Sequence, residues 1–96
     1  KIEGNSAPVA ERKDSFAVIG LGAFGSTVAI DLARLGAYVL GIDLDERRVA
    51  RVADRIAEAK ILDATDETAL REAGLDRYGA VLVATGDGYQ ARELHP

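Results

Sequence analysis

Four apolar residues, Phe16–Ala17–Val18–Ile19, run straight into Gly20, and Gly20, Gly22 and Gly25 then punctuate the opening of a helical pattern. No other stretch of the chain narrows the fold so much. An apolar run this short, closed by glycine, predicts a strand buried on both faces. Behind it, Val28, Leu32 and Leu35 recur at helical spacing between Phe24 and Leu35, and Gly36 stands where a left-handed residue ends a helix. A strand that feeds a helix through a glycine turn begins a parallel βαβ unit.

The rest of the chain repeats that alternation. Tyr38 to Ile42 reads as a second strand ending at Asp43, and Asp45 as the cap of a helix with Val49, Val52 and Ile56 on its inner face. Lys60–Ile61–Leu62 reads as a short third strand with Asp63 at its end. Thr65 or Asp66 caps a helix through Leu70, which Gly74–Leu75 stops. Ala80 to Ala84 is a fourth buried strand, followed by the turn Thr85–Gly86–Asp87–Gly88 and a few residues that could open a fourth helix. The order β-α-β-α-β-α-β with short connections predicts an α/β fold: a Rossmann-like parallel sheet with helices on both faces, truncated after the fourth strand.

Size and composition agree with one small domain. The chain has 96 residues, and its 48% apolar content supplies a core. A formal net charge of −4 argues against a non-specific grip on nucleic acid, which needs a basic face to displace counterions. Cysteine is absent, so disulfides, thiolate nucleophiles and zinc–thiolate sites are excluded. No apolar run approaches the roughly 20 residues of a membrane span, so direct membrane insertion is not expected. Residues 1–14 are polar, without apolar period, and read as a flexible leader or as a docking arm for a partner; residues 15–96 form the expected domain.

The glycines carry the first functional signal. Following a strand and opening a helix, Gly20 permits the tight turn, Gly22 lets a phosphate approach the backbone, and Gly25 allows close helix–strand packing. Helix N-terminal amides and the helix dipole then favour the phosphate's negative charge. Asp43 lies about 20 residues beyond the glycines at the end of the second strand, where a carboxylate accepts hydrogen bonds from ribose hydroxyls and repels a 2′-phosphate. That favours NAD or an adenosine nucleotide over NADP. The bland alternatives are a plain strand–helix turn and a polar residue leaving a sheet. Asp63–Ala64–Thr65, on the same rim, is by itself a helix-cap sequence.

With FAVIGLGAFG, VLGIDLDERRV and ILDATDETALREAGLDRYGAVLVATGD in order, the chain resembles the KTN (TrkA-N) domain. This is the N-terminal nucleotide-binding lobe of RCK domains, found in regulatory subunits of Trk/Ktr-type potassium uptake systems. The resemblance spans Phe16 to about Gln90. It implies a cytoplasmic, homo-oligomeric regulatory module beneath a membrane-embedded potassium transporter subunit, switched by an adenine nucleotide (NAD/NADH or ATP/ADP). It places phosphates on Gly22, Ala23, Phe24 and Gly25, ribose on Asp43, adenine near Asp63 and Ala64, and the Thr85–Gly86 turn toward the far end of the ligand. Gly20, Leu44 and Thr65 complete the candidate set. The sequence departs from the family at Ala23, where many relatives carry arginine, GLGRFG. Without that arginine the loop offers no side-chain charge for a terminal phosphate, which predicts weak discrimination between ATP and ADP.

Catalytic chemistry is not evident. His95 is a tail residue, Tyr38, Tyr78 and Tyr89 suit packing, and Lys60 is an isolated strand residue. Glu46, Asp66 and Glu67 sit at helix starts, where acids complement the dipole, although they could also meet a nucleotide-borne magnesium ion. No triad, Walker lysine or metal cluster is legible. A regulatory binding module is therefore expected rather than an enzyme. The alternatives are the cofactor-binding fragment of an NAD-dependent oxidoreductase and a structural oligomerisation domain.

Overall fold

The computed structural model describes residues 14–85 and 88–92. In chain order they form β1 (Ser15–Ile19), α1 (Ala23–Arg34), β2 (Tyr38–Asp43), α2 (Glu46–Val52), β3 (Glu58–Ile61), α3 (Glu67–Glu72), a 3-10 turn (Leu75–Arg77), β4 (Ala80–Thr85) and β5 (Gly88–Arg92). The sheet order is β3-β2-β1-β4-β5. The first four strands pair in parallel, as the alternation of strands and helices requires, with Ile19 opposite both Ile42 and Val83. The carboxyl ends of β1, β2 and β4 therefore finish side by side at one rim.

Side chains alternate across the central strands, so each face has its own core. Val18 and Val39 face α1 and α2, packed with Leu21, Ala29, Val49, Val52 and Ile56. Ala17, Ile19, Leu40 and Ile42 face the other way, against Leu75, Tyr78 and Val81, with Leu70 of α3 alongside. Gly41 is glycine because Leu21 and Ile56 fill the space above it: a Cβ there would lie 2.9 Å from Ile56 Cδ1 and 3.1 Å from Leu21 Cδ2. Tyr78 is buried against Tyr38, ring centroids 6.1 Å apart, and burial raises its hydroxyl pKa, with Tyr38 and Glu58 adding to the shift. It is a packing residue.

The helix signals act largely as read. Gly36 adopts φ +97°, and its amide and that of Ala37 bond back to Ala33 O and Leu32 O at 3.0 and 3.1 Å, closing α1 with a paired left-handed cap. Asp45 caps α2 by accepting from Arg47 N, and Asp66, rather than Thr65, caps α3 by accepting from Ala69 N. Gly74, at φ +83°, ends α3 as expected.

Four expectations change. Leu35 is 84% exposed, because Gly25 and Ala29 are the residues that α1 buries. Ile56 joins the core from beyond α2, which ends at Val52. The third strand begins at Glu58, earlier than expected, because an edge strand need not be apolar to pair with β2. Beyond β4 the chain forms a strand rather than a helix. β5 runs antiparallel to β4 with Thr85 opposite Gly88, and only two residues intervene, too few for a parallel crossover. β4 is thus paired on both sides, by β1 and by β5. The leader lies outside the described residues except Asp14, whose carbonyl accepts from Tyr38 N at 3.0 Å. Gly86, Asp87 and His95 also lie outside them.

Candidate functional site

The rim where β1, β2 and β4 end is the position at which open parallel sheets hold ligands, because the strand order reverses there. Here it is built around the turn from β1 into α1. Gly20 N donates to Ile42 O at 2.8 Å, carrying the β1–β2 ladder one residue into the loop, and Gly20 then turns with φ +99°. A Cβ on Gly20 would stand 2.6 Å from Ala84 O, and one on Gly25 only 1.8 Å from Gly20 O. Both glycines are demanded by the fold.

Gly22 is different. Its φ of −70° suits any residue, and among the described residues a Cβ would meet nothing closer than Arg48 Nη1 at 3.7 Å. Among the described residues, no contact explains glycine at this position. The missing side chain instead leaves open a cavity of about 240 Å³ at the start of α1, lined by Gly20, Gly22, Ala23, Phe24, Gly25, Arg48 and Ala84. α2 and α3 each have an aspartate cap and a glutamate in the first turn, whereas the first turn of α1 has no acid and Gly22 supplies no side-chain cap. The positive end of the longest helix therefore opens onto the cavity without a carboxylate of its own to complement it.

Asp43 lies under this loop. It is 9% exposed, and its carboxylate accepts from Leu21 N at Oδ2 (2.7 Å) and from Asp45 N at Oδ1 (2.8 Å). Burial opposes its charge, but the amides of Asp45 and Leu21, the Arg48 guanidinium and the Leu44 amide outweigh burial and hold the carboxyl below its ordinary value. Asp43 thus ties the glycine turn to the end of β2. A carboxylate offers about four lone-pair sites, so these bonds leave acceptor capacity for further donors.

Of the residues expected from sequence, Gly20, Gly22, Ala23, Phe24 and Gly25 come together in one cavity wall. Leu44 projects from the rim, 67% exposed. Asp63, Ala64 and Thr65 are exposed on the segment after β3; Thr65 donates through its hydroxyl and its amide to Asp63 Oδ1 (2.6 and 2.9 Å), which lowers the Asp63 pKa. They do not line the cavity. Thr85 ends β4.

Two lining residues were not expected, Ala84 and Arg48. Ala84 follows from β4 ending beside β1. Arg48 brings from α2 a side-chain charge that the loop itself lacks. Its guanidinium reaches over Gly22 from α2, pairing with Asp43 Oδ2 and Asp45 Oδ2 at 3.8 Å each. The available signal was topological: successive right-handed crossovers place α1 and α2 on one face, so the first turn of α2 stands beside the glycine loop.

Comparison with known proteins agrees with this geometry. The TrkA-N domain matches residues 16–94. The chain belongs to the TrkA-N family. It is 42% identical over 82 residues to Ktr system potassium uptake protein C of Bacillus subtilis, covering 85% of this chain and 37% of that protein. Ktr system potassium uptake protein A of the same organism is 39% identical over 83 residues, 86% of this chain and 37% of the relative. The protein A of Vibrio alginolyticus is 41% identical over 79 residues, 82% of this chain and 36% of the relative. The TrkA-N chain thus spans a little over a third of the length of these relatives. Among its described residues, no helix is long and apolar enough to cross a membrane.

Proposed function

We propose that this TrkA-N domain is a regulatory module that binds an adenine nucleotide, NAD/NADH or ATP/ADP, and controls potassium transport through a membrane-embedded partner subunit. The observation that carries the reading is Gly22, a glycine for which no contact among the described residues gives a reason, placed where its missing side chain opens a cavity at the amino end of α1. Backbone amides and a helix dipole directed at one cavity suit a diphosphate. Domains of this family generally bind NAD(H), which supports the choice of ligand. In this reading Ala23, Phe24 and Gly25 hold phosphate, Asp43 adds ribose hydroxyls to the amides it already accepts, and the Asp63–Ala64–Thr65 segment lies toward the base.

The names of the relatives supply the potassium assignment. They favour a sensor over the oxidoreductase alternative, with the chain itself turning nothing over. The module would act in the cytoplasm, at the inner face of the membrane through its partner, as part of a homo-oligomer.

Calorimetric titration with NADH, NADPH, ADP and ATP tests the ligand class. A carboxylate at position 43 repels a 2′-phosphate and prefers free hydroxyls, so NADH should bind about tenfold to a hundredfold more tightly than NADPH. Equal affinities for NADH and NADPH would remove Asp43 from the ribose.

A further inference from the structure

We propose that Arg48 is the phosphate-reading cation of this site, held beside the cavity by Asp43 and Asp45 and transferred to the ligand's phosphates on binding. The inference rests on the nucleotide reading above and adds a residue outside the glycine motif. Three observations carry it. The first is position: Arg48 Nη1 lies 3.7 Å from where a Cβ on Gly22 would stand, so the guanidinium borders the space that the missing side chain leaves. Ala23, beside it, contributes only a methyl group.

The second is how weakly Arg48 is held. Both carboxylates approach it at 3.8 Å, an ion-pair distance beyond hydrogen-bond length, and its side chain is 49% exposed. The pair with Asp45 is half exposed at both ends, and such pairs contribute little; the pair with the buried Asp43 is held by a single long contact. The third is that departure strands no charge. Asp43 keeps the amides of Leu21 and Asp45, and Asp45 keeps its cap bond from Arg47 N. A phosphate offers the planar guanidinium two parallel hydrogen bonds, which neither carboxylate now makes with it. Exchange of a loose pair for a bidentate one therefore favours ligands with a diphosphate or longer chain.

The test is titration of the chain and of Arg48→Gln and Arg48→Lys with adenosine, AMP, ADP and ATP at two salt concentrations, with thermal unfolding of each variant. Arg48→Gln should unfold near the wild-type temperature and bind ADP and ATP at least tenfold more weakly, with adenosine unchanged. Its ADP affinity should also depend less steeply on salt. Arg48→Lys should fall between, because a point charge lacks the fork. Equal ADP affinity in wild type and Arg48→Gln overturns the assignment while leaving the nucleotide reading intact. An equal loss for adenosine and ADP assigns Arg48 a structural role and also overturns it. If wild type binds none of the four, this assignment falls, and the NADH titration described above decides the nucleotide reading separately.

Discussion

Asp43 performs at the residue scale what the glycines alone cannot. Gly20 and Gly25 remove side chains that would collide with Ala84 O and Gly20 O, but removing a collision does not hold a loop in place. The Asp43 carboxylate does, by accepting from Leu21 N in the turn and from Asp45 N ahead of α2. Asparagine would keep one acceptor oxygen and turn an NH2 toward one of those two N–H donors. Asp43→Asn should therefore lower stability by about 1–3 kcal/mol near neutral pH, measured by denaturant unfolding. The sign with pH follows from the lowered pKa. A carboxyl whose folded value is depressed stabilises above its unfolded value, about 3.9, and loses that contribution as pH falls through the folded value. The gap between wild type and Asp43→Asn should narrow below about pH 4. Asp43 was legible from its spacing after the glycines, but its bond to Leu21 was not. Sequence spacing locates a carboxylate at a rim without saying which amide it meets. Arg48 escaped for a related reason: α2 must be placed beside α1 before its first turn can belong to the loop.

Elements were legible in proportion to their burial. β1, β2 and β4 are central strands whose apolar runs announce them, and the caps Asp45, Asp66, Gly36 and Gly74 act through local chemistry that spacing reveals. The edges were less readable. β3 carries Glu58 and Lys60, so its pairing with β2 is not marked by an apolar run, and the strand begins at Glu58, ahead of the apolar pair Ile61–Leu62. β5 pairs on one side only, and its sequence Gly88–Arg92 lacks a hydrophobic stretch. The signal that could have found it is the Gly86–Asp87 pair between two short segments, a composition that favours a tight return. α3 is a fair test of how much a cap contributes. It spans only Glu67–Glu72 and has no fully buried residue, so its own packing is slight and Asp66 matters correspondingly. Asp66→Ala should cost about 0.5–2 kcal/mol in thermal unfolding, with protection from hydrogen exchange lost first in Glu67–Glu72.

For the whole molecule, the arrangement that makes the core also makes the site. Parallel strands end together, helices return on both faces, and the strand order reverses beside β1, so one rim gathers a glycine turn, a helix amino end, a buried carboxylate and a half-exposed guanidinium. In the proposed reading, Gly22 separates ligand binding from folding within that rim. Among the described residues a Cβ there meets only the flexible end of Arg48, and Gly22 borders the cavity. The most direct measurement is calorimetric titration of wild type and Gly22→Val with NADH and ADP, alongside their unfolding temperatures. Wild type should bind at least one of the two ligands, and Gly22→Val should unfold within a few degrees of it with affinity reduced at least about a hundredfold, the scale of losing the phosphate contacts. Undiminished binding by a folded Gly22→Val would contradict the assignment of the nucleotide to the glycine loop.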